Sequence, residues 1–349
     1  MTRRSDSSSS FDHGERWQFY TLRARFAVTR TGDNVSHTVG FVGAVAAAIA
    51  VSVGATTPAA PWRRTAPAND STIASVVLLG TGTPIANPER SGPALAVVVG
   101  GMSYLVDAGP GVVRRAVAAA QRDSFTALRA PNLRRIFLTH LHSDHTLGLP
   151  DVMLTPAVLH RGGPLTVYGP RGTRAMVDNI LAAYGEDIDI RLHAREHGDP
   201  ASYRMVVHEV APGVVYRDSN VTVRAFKVPH GTWPNAFGYR FDARGRSIVV
   251  SGDTRASNAI VDACNGCDVL VHEVYSKAGF DRLPAPDRLY HSAFHTSAIE
   301  LGDLAARAKP KLLVLTHILF FGESAEEILS EVRSRYTGPV VMGEDLGVY

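Results

Sequence analysis

The sequence predicts a layered α/β protein. Three observations carry that expectation. From Thr72 onward, short β-branched apolar runs alternate with longer stretches of helical character. Clusters rich in Gly and Pro separate them. Hydrophobic residues make up 45% of the 349 positions, enough to bury a sizeable core.

Taken in order, residues 73–79 read as a strand, broken by Gly80-Thr81-Gly82-Thr83-Pro84. Residues 95–99 and 104–106 read as two more, meeting at Gly100-Gly101. Asp107-Ala108-Gly109-Pro110-Gly111 then leads into a helix over 112–122. A short strand at 136–138 runs into a group of histidines, and Ser143 or Asp144 is placed to cap the helix that follows. Residues 165–168 form a strand before a helix reaching about Tyr184. Further strands are expected at 221–228, 238–241, 247–250, 269–271 and 312–315, with helices near 256–263, 293–308 and 323–335.

The first 72 residues differ in character. Residues 1–37 are polar, with a serine run at Ser7 to Ser10, and disorder is expected there. Residues 38–56 are apolar or small and uncharged, and Arg23, Arg25 and Arg30 precede them. That order suits a signal peptide or a membrane anchor. Residues 57–72 read as a linker and 73–349 as the catalytic domain. An exported (periplasmic or extracellular) or membrane-anchored protein is expected, cytoplasmic if the segment is not a working signal. The formal charge is only +3, with no long Lys/Arg run, so composition does not call for nucleic acid.

Cys264-Asn265-Gly266-Cys267 holds the only two cysteines. One such pair cannot close a four-thiolate zinc site. A small-residue turn is the preferred reading. A local disulfide is the alternative, and it would need an oxidising compartment.

The strongest signal is Thr139-His140-Leu141-His142-Ser143-Asp144-His145, which packs three imidazoles and a carboxylate into six residues. In an extended segment, residues two apart point the same way, so His140 and His142 can face one metal. A following turn can present Asp144 and His145 to a second metal about 4 Å away. Imidazole and carboxylate together suit zinc and tolerate manganese or iron. Two metals need more ligands. Three candidates sit at strand ends beside small or polar residues: His230, Asp253 and His317.

This pattern resembles the metallo-β-lactamase superfamily, whose signature is HxHxDH followed by a distant His, a bridging Asp and a last His. The resemblance covers roughly residues 74–349. It implies an αββα four-layer sandwich with the metal site at one edge of the two sheets. It also implies two Zn2+ ions. His140, His142 and His230 would hold the first, Asp144, His145 and His317 the second, with Asp253 between them. Asp107 matches a residue that supports the site from behind.

The branch narrows further. Most β-lactamases of the superfamily lack the bridging Asp, and this chain has Asp253. Gly80-Thr81-Gly82-Thr83-Pro84, Val271-His272-Glu273-Val274 and His295-Thr296-Ser297-Ala298 are similar to the ribonuclease Z and arylsulfatase-like branch. There a His matching His295 stabilises or protonates the reacting group, with a Glu matching Glu273 nearby. His291 is the chief competitor for that role. Asp144 would help aim a hydroxide shared by the two ions and take up its proton. Trp233, Phe237, Tyr275, Phe320 and Phe321 could wall an aryl pocket.

Between substrates, the preferred expectation is an arylsulfatase-like hydrolase of a small anionic sulfate or phosphate ester. The alternative is a ribonuclease Z-type endoribonuclease or phosphodiesterase. A lactonase, a β-lactamase or a non-catalytic metal-binding sensor ranks below both. Nucleic acid is not expected as a partner, for two reasons. Many of these ribonucleases carry a long arm between the third-motif His and the bridging Asp, yet His230 and Asp253 are 23 positions apart. The export segment would also separate the enzyme from tRNA. The apolar segment 38–56 allows a membrane contact, and a homodimer is expected only by analogy.

Overall fold

The computed structural model describes residues 73–349. The expectations for 1–37, 38–56 and 57–72 lie outside the described residues. No helix among the described residues is long and apolar enough to cross a membrane.

Two sheets face each other. The first contains β1 (Ser75–Gly80), β2 (Ala94–Val99), β3 (Met102–Val106), β4 (Arg135–Phe137), β5 (Leu165–Gly169) and β6 (Met205–Glu209), in that spatial order. The second runs from β7 (Gly213–Arg217) through β8 (Val221–His230), β9 (Trp233–Ala243), β10 (Arg246–Val250), β11 (Val269–Tyr275) and β12 (Leu313–Leu319) to β13 (Val340–Met342). In each sheet the first strands pair antiparallel and the rest parallel.

Strand alternation explains the layers. Val76 and Leu78 enter the core between the sheets, with Val97, Phe137, Tyr239 and Val250. Val77 and Leu79 point outward, onto α1 (Val112–Arg122), α3 (Leu149–Val158) and α4 (Thr173–Ala183). On the far side, Val249, Leu270 and Leu313 pack on α6 (Asn258–Cys264), α9 (Ala298–Ala308) and α10 (Ala325–Arg333). Both α9 and α10 start with a capping box, Ser297 with Glu300 and Ser324 with Glu327. Four layers, helix on sheet on sheet on helix, are therefore present, as expected from the resemblance.

The short elements are α2 (Ser143–Thr146), α5 (Gly185–His193), α7 (Lys277–Asp281) and α8 (Ala285–Phe294). Neither Ser143 nor Asp144 caps α2; His142 occupies the cap position without a side-chain bond. The helix expected over 293–308 meets the end of α8 and the whole of α9, parted by the three residues His295, Thr296 and Ser297. Cys264 and Cys267 form a disulfide between α6 and β11. This corrects the preference for a plain turn: Asn265 and Gly266 both take positive φ, which folds the chain back tightly enough to bring the two thiols together.

Candidate metal centre

Ligand-bearing loops leave the carboxyl ends of strands in both sheets, at one edge of the sandwich. Asp107 follows β3. His140 and His142 follow β4, and Asp144 and His145 lie on α2. His230 ends β8, Asp253 follows β10, and His317 lies in β12.

Two local distortions aim these side chains. In the pairing of β11 with β12, Glu273 faces Thr316 and Val274 faces Ile318, so His317 is the extra residue of a β-bulge, at φ 43°. Gly252, at φ 62°, lets the Asp253 loop lie against Thr139; an added Cβ there would sit 2.9 Å from Thr139.

The seven side chains proposed as ligands come together. Ligand atoms of His140, His142, His230 and Asp253 lie within 4.8 Å of one another, as do those of Asp144, His145 and His317. His142 Nδ1 is 3.0 Å from His140 Nε2 and 3.1 Å from His230 Nε2. His317 Nε2 is 3.2 Å from Asp144 Oδ2 and 3.3 Å from Asp253 Oδ2. His145 Nε2 is 3.4 Å from Asp253 Oδ1, and His140 Nε2 is 3.9 Å from Asp253 Oδ2. Asp253 thus lies between the two groups.

Two of the imidazoles, His145 and His230, are also held from behind. Asp107 Oδ2 lies 2.8 Å from His145 Nδ1 and accepts a 2.8 Å bond from the Thr139 hydroxyl. Its Oδ1 accepts from Thr139 N. The Phe294 carbonyl accepts from His230 Nδ1 at 2.8 Å. These bonds leave Nε2 of both histidines facing the centre. The Phe294 carbonyl escaped the sequence reading because a backbone oxygen carries no residue signature.

The donor set fits divalent cations. Crowded imidazoles and carboxylates with few donors among them suit a cation. His145 Nε2 is buried without a hydrogen-bond partner. Burial lowers His140 and holds His230 at about 4. Burial also acts to lower His145 and His317, but the carboxylates of Asp253 and Asp107 beside His145, and of Asp253 and Asp144 beside His317, outweigh it and raise them. Asp253 is buried too, which raises it, yet His317 and His145 outweigh this and keep it ionised.

His295 is buried beside this centre, its Nδ1 3.9 Å from Asp253 Oδ2 and 3.5 Å from Glu273 Oε2. Burial lowers it to about 4. His291 stands farther out, its ring 4.7 Å from that of Phe321. Glu273 Oε1 accepts from the backbone N–H of Thr296 at 2.7 Å and of Thr254 at 3.4 Å. It therefore ties the loop after His295 to the loop after Asp253. His272 is buried, Nδ1 bonded to the Glu273 carbonyl, outside the ligand groups, whereas His295 makes a third such group with Asp253 and His317.

The aromatics do not form one aryl pocket. Phe237 is in the core between the sheets. Tyr275 and Phe321 pack with Phe280, and Phe320 packs under the Arg90 guanidinium. Trp233 alone reaches the centre, its indole N–H 2.6 Å from His142 Nε2.

Comparison with known proteins places this architecture. Residues 103–318 match the family described as the beta-lactamase superfamily domain. Ribonuclease Z of Mycobacterium bovis (strain BCG / Pasteur 1173P2) is 34% identical over 277 residues, covering 78% of this chain and 96% of that protein. Human tRNase Z, short form, aligns with a TM-score of 0.56 at 25% identity, covering 79% of this chain and 98% of that one. The metallo-beta-lactamase fold protein YhfI from Bacillus subtilis aligns with a TM-score of 0.61 at 16% identity, over 79% and 98% of the two chains. The chain belongs to the metallo-β-lactamase superfamily, a class of metal-dependent hydrolases with a divalent-metal site. Within it, the chain falls in the ribonuclease Z branch, whose hydrolases act on phosphodiester bonds.

Two expectations are corrected. The arylsulfatase-like preference finds no support among these relatives. The exclusion of nucleic acid conflicts with relatives named as ribonucleases. It leaned on the missing arm between His230 and Asp253, and on the export segment, which lies outside the described residues. The mycobacterial ribonuclease Z is matched over 96% of its own length, so it has no long unmatched arm either. The short spacing was therefore no argument against RNA.

Proposed function

We propose that this chain is a binuclear zinc-dependent endoribonuclease of the ribonuclease Z type. The observation that carries the reading is the near end-to-end match to a ribonuclease Z at 34% identity. In this reading His140, His142 and His230 would hold one ion and Asp144, His145 and His317 the other, with Asp253 placed between the two groups. Such a pair, when bound, would supply a nucleophile at neutral pH and offset charge on the phosphate oxygens.

The chain's own residues do the rest. Asp107 and the Phe294 carbonyl fix the tautomers of His145 and His230. Asp144, 3.2 Å from His317 within the centre, is placed to take up a proton. His295, beside Asp253, is placed to meet charge developing on the scissile group. Glu273 acts as a positioning residue, holding the Asp253 and His295 loops in register.

A substrate panel tests this. The full-length protein, supplied with Zn2+ or Mn2+, is assayed on precursor tRNA, bis-nitrophenyl phosphate and nitrophenyl sulfate. Cleavage of the RNA and the phosphodiester, with the sulfate untouched, is expected. Sulfate hydrolysis without RNA cleavage would overturn the proposal.

A further inference from the structure

Helix α8 leads into His295 but buries none of its own residues fully. Its carboxyl end is anchored to the turn after His230. Gly231 N donates to the Ala293 carbonyl at 2.9 Å, and His230 Nδ1 donates to the Phe294 carbonyl. The Phe294 ring lies directly over Gly231, where an added Cβ would come within 2.1 Å of it, and Gly231 takes φ 49°. Only glycine permits this close approach.

That anchoring sets up a column of rings. Phe294 lies 6.2 Å from His142 with their planes 28° apart. Tyr290 stacks on Phe294 at 4.4 Å and 20°. Tyr290 is the outer ring and is 47% exposed. The column runs from solvent to a candidate ligand histidine, and nothing in the hydrolytic chemistry above uses its outer member.

We infer that Tyr290 is the outer face of a stacking platform that takes the base of a nucleotide flanking the scissile phosphate. This rests on the reading of the chain as a ribonuclease. The chemistry favours a base as the occupant. A flat, half-exposed ring parallel to the ring beneath it offers a π-face, and unpaired RNA bases are held on aromatic rings in this way. Stacking also tolerates any base, as an enzyme acting on varied RNA needs. Phe294 supports Tyr290 from below, and the Gly231 contact fixes the height of both.

The test uses a non-cleavable 2′-O-methyl RNA oligonucleotide that spans the cut site and carries 2-aminopurine at each flanking position in turn. An abasic counterpart of each is compared. Wild-type metal-loaded protein is expected to quench the fluorescence at one position and to bind the abasic oligonucleotide about 10-fold more weakly there. Tyr290→Ala is expected to lose both the quenching and the discrimination, while Tyr290→Phe keeps them. A Tyr290→Ala protein that quenches and discriminates like wild type would overturn the inference. So would a wild type that shows neither effect. Cleavage of unmodified RNA, measured in parallel, reports on the ribonuclease reading by itself. Quenching without cleavage sinks that reading and, with it, the placement of the base beside a scissile phosphate, leaving only a base-stacking site. Cleavage without quenching sinks the platform alone.

Discussion

The Asp107 carboxylate and the His145 imidazole are 2.8 Å apart, Oδ2 to Nδ1, both buried, at the junction of β3 and α2. Asp107 reaches this position in a left-handed backbone conformation, φ 61°, uncommon for any residue with a side chain. It fixes which nitrogen of His145 faces the metal centre. Asp107→Asn keeps the shape but weakens the acceptor. We expect metal affinity to fall about 10- to 100-fold, read by titration of the metal-free protein with Zn2+. Unchanged affinity would remove Asp107 from the support of the site.

His295 separates binding from chemistry. It lies beside Asp253 but is not among the seven proposed ligands. His295→Gln should retain the full metal content while kcat on RNA drops about 100-fold or more. Metal loss in parallel with activity would instead make His295 a ligand.

The candidate site was more legible in the sequence than the substrate was. HxHxDH puts four ligand candidates within six residues, and short-range geometry then decides what they can face. His230, Asp253 and His317 were visible as chemistry-bearing residues at strand ends. The bulge that turns His317 inward was not, because a bulge is a property of the pairing between β11 and β12. Helix α8 was also missed. Pro284 and Pro286 obscure its start, and its apolar i,i+4 pairs, Leu289 with Ala293 and Tyr290 with Phe294, are too few to read without a buried face to confirm them. The error over nucleic acid had another origin. It inferred a binding property from one short spacing and from an apolar segment at residues 38–56, and relatives named as ribonucleases overturn it.

Away from the metal centre, Asp218 joins the two sheets. Its Oδ2 accepts from Tyr104 Oη at 2.6 Å and Tyr216 Oη at 2.7 Å, and its Oδ1 accepts from the backbone of Asn220 and Val221. Partial burial raises its pKa, but these bonds outweigh it and hold the carboxyl below the usual range. A folded-state pKa below the unfolded one stabilises the protein above about pH 4 and loses that effect as pH falls through the folded value. Asp218→Asn should therefore destabilise by about 1–2 kcal/mol at pH 7, with the gap to wild type closing below about pH 4. Urea unfolding across pH checks this, and a gap independent of pH would contradict it.

The disulfide Cys264–Cys267 closes a loop with a sequence separation of only 3. Chain entropy predicts about 2 kcal/mol of stabilisation from so short a loop. Replacing both cysteines with alanine, or reducing the wild type, should lower stability by that amount without loss of metal. A larger fall, with metal released, would show that the link also holds the Asp253 loop, which α6 follows.

The central claim is that seven side chains, running from His140 to His317, converge to hold a pair of cations. Counting the ions on the purified full-length chain by native mass spectrometry, for wild type and Asp253→Ala, tests it most directly. Two divalent ions per wild-type chain, and fewer with RNA cleavage reduced by several orders of magnitude in a folded Asp253→Ala, are predicted. A wild type that cleaves RNA while binding no metal, or an Asp253→Ala protein with both ions and normal turnover, would contradict it.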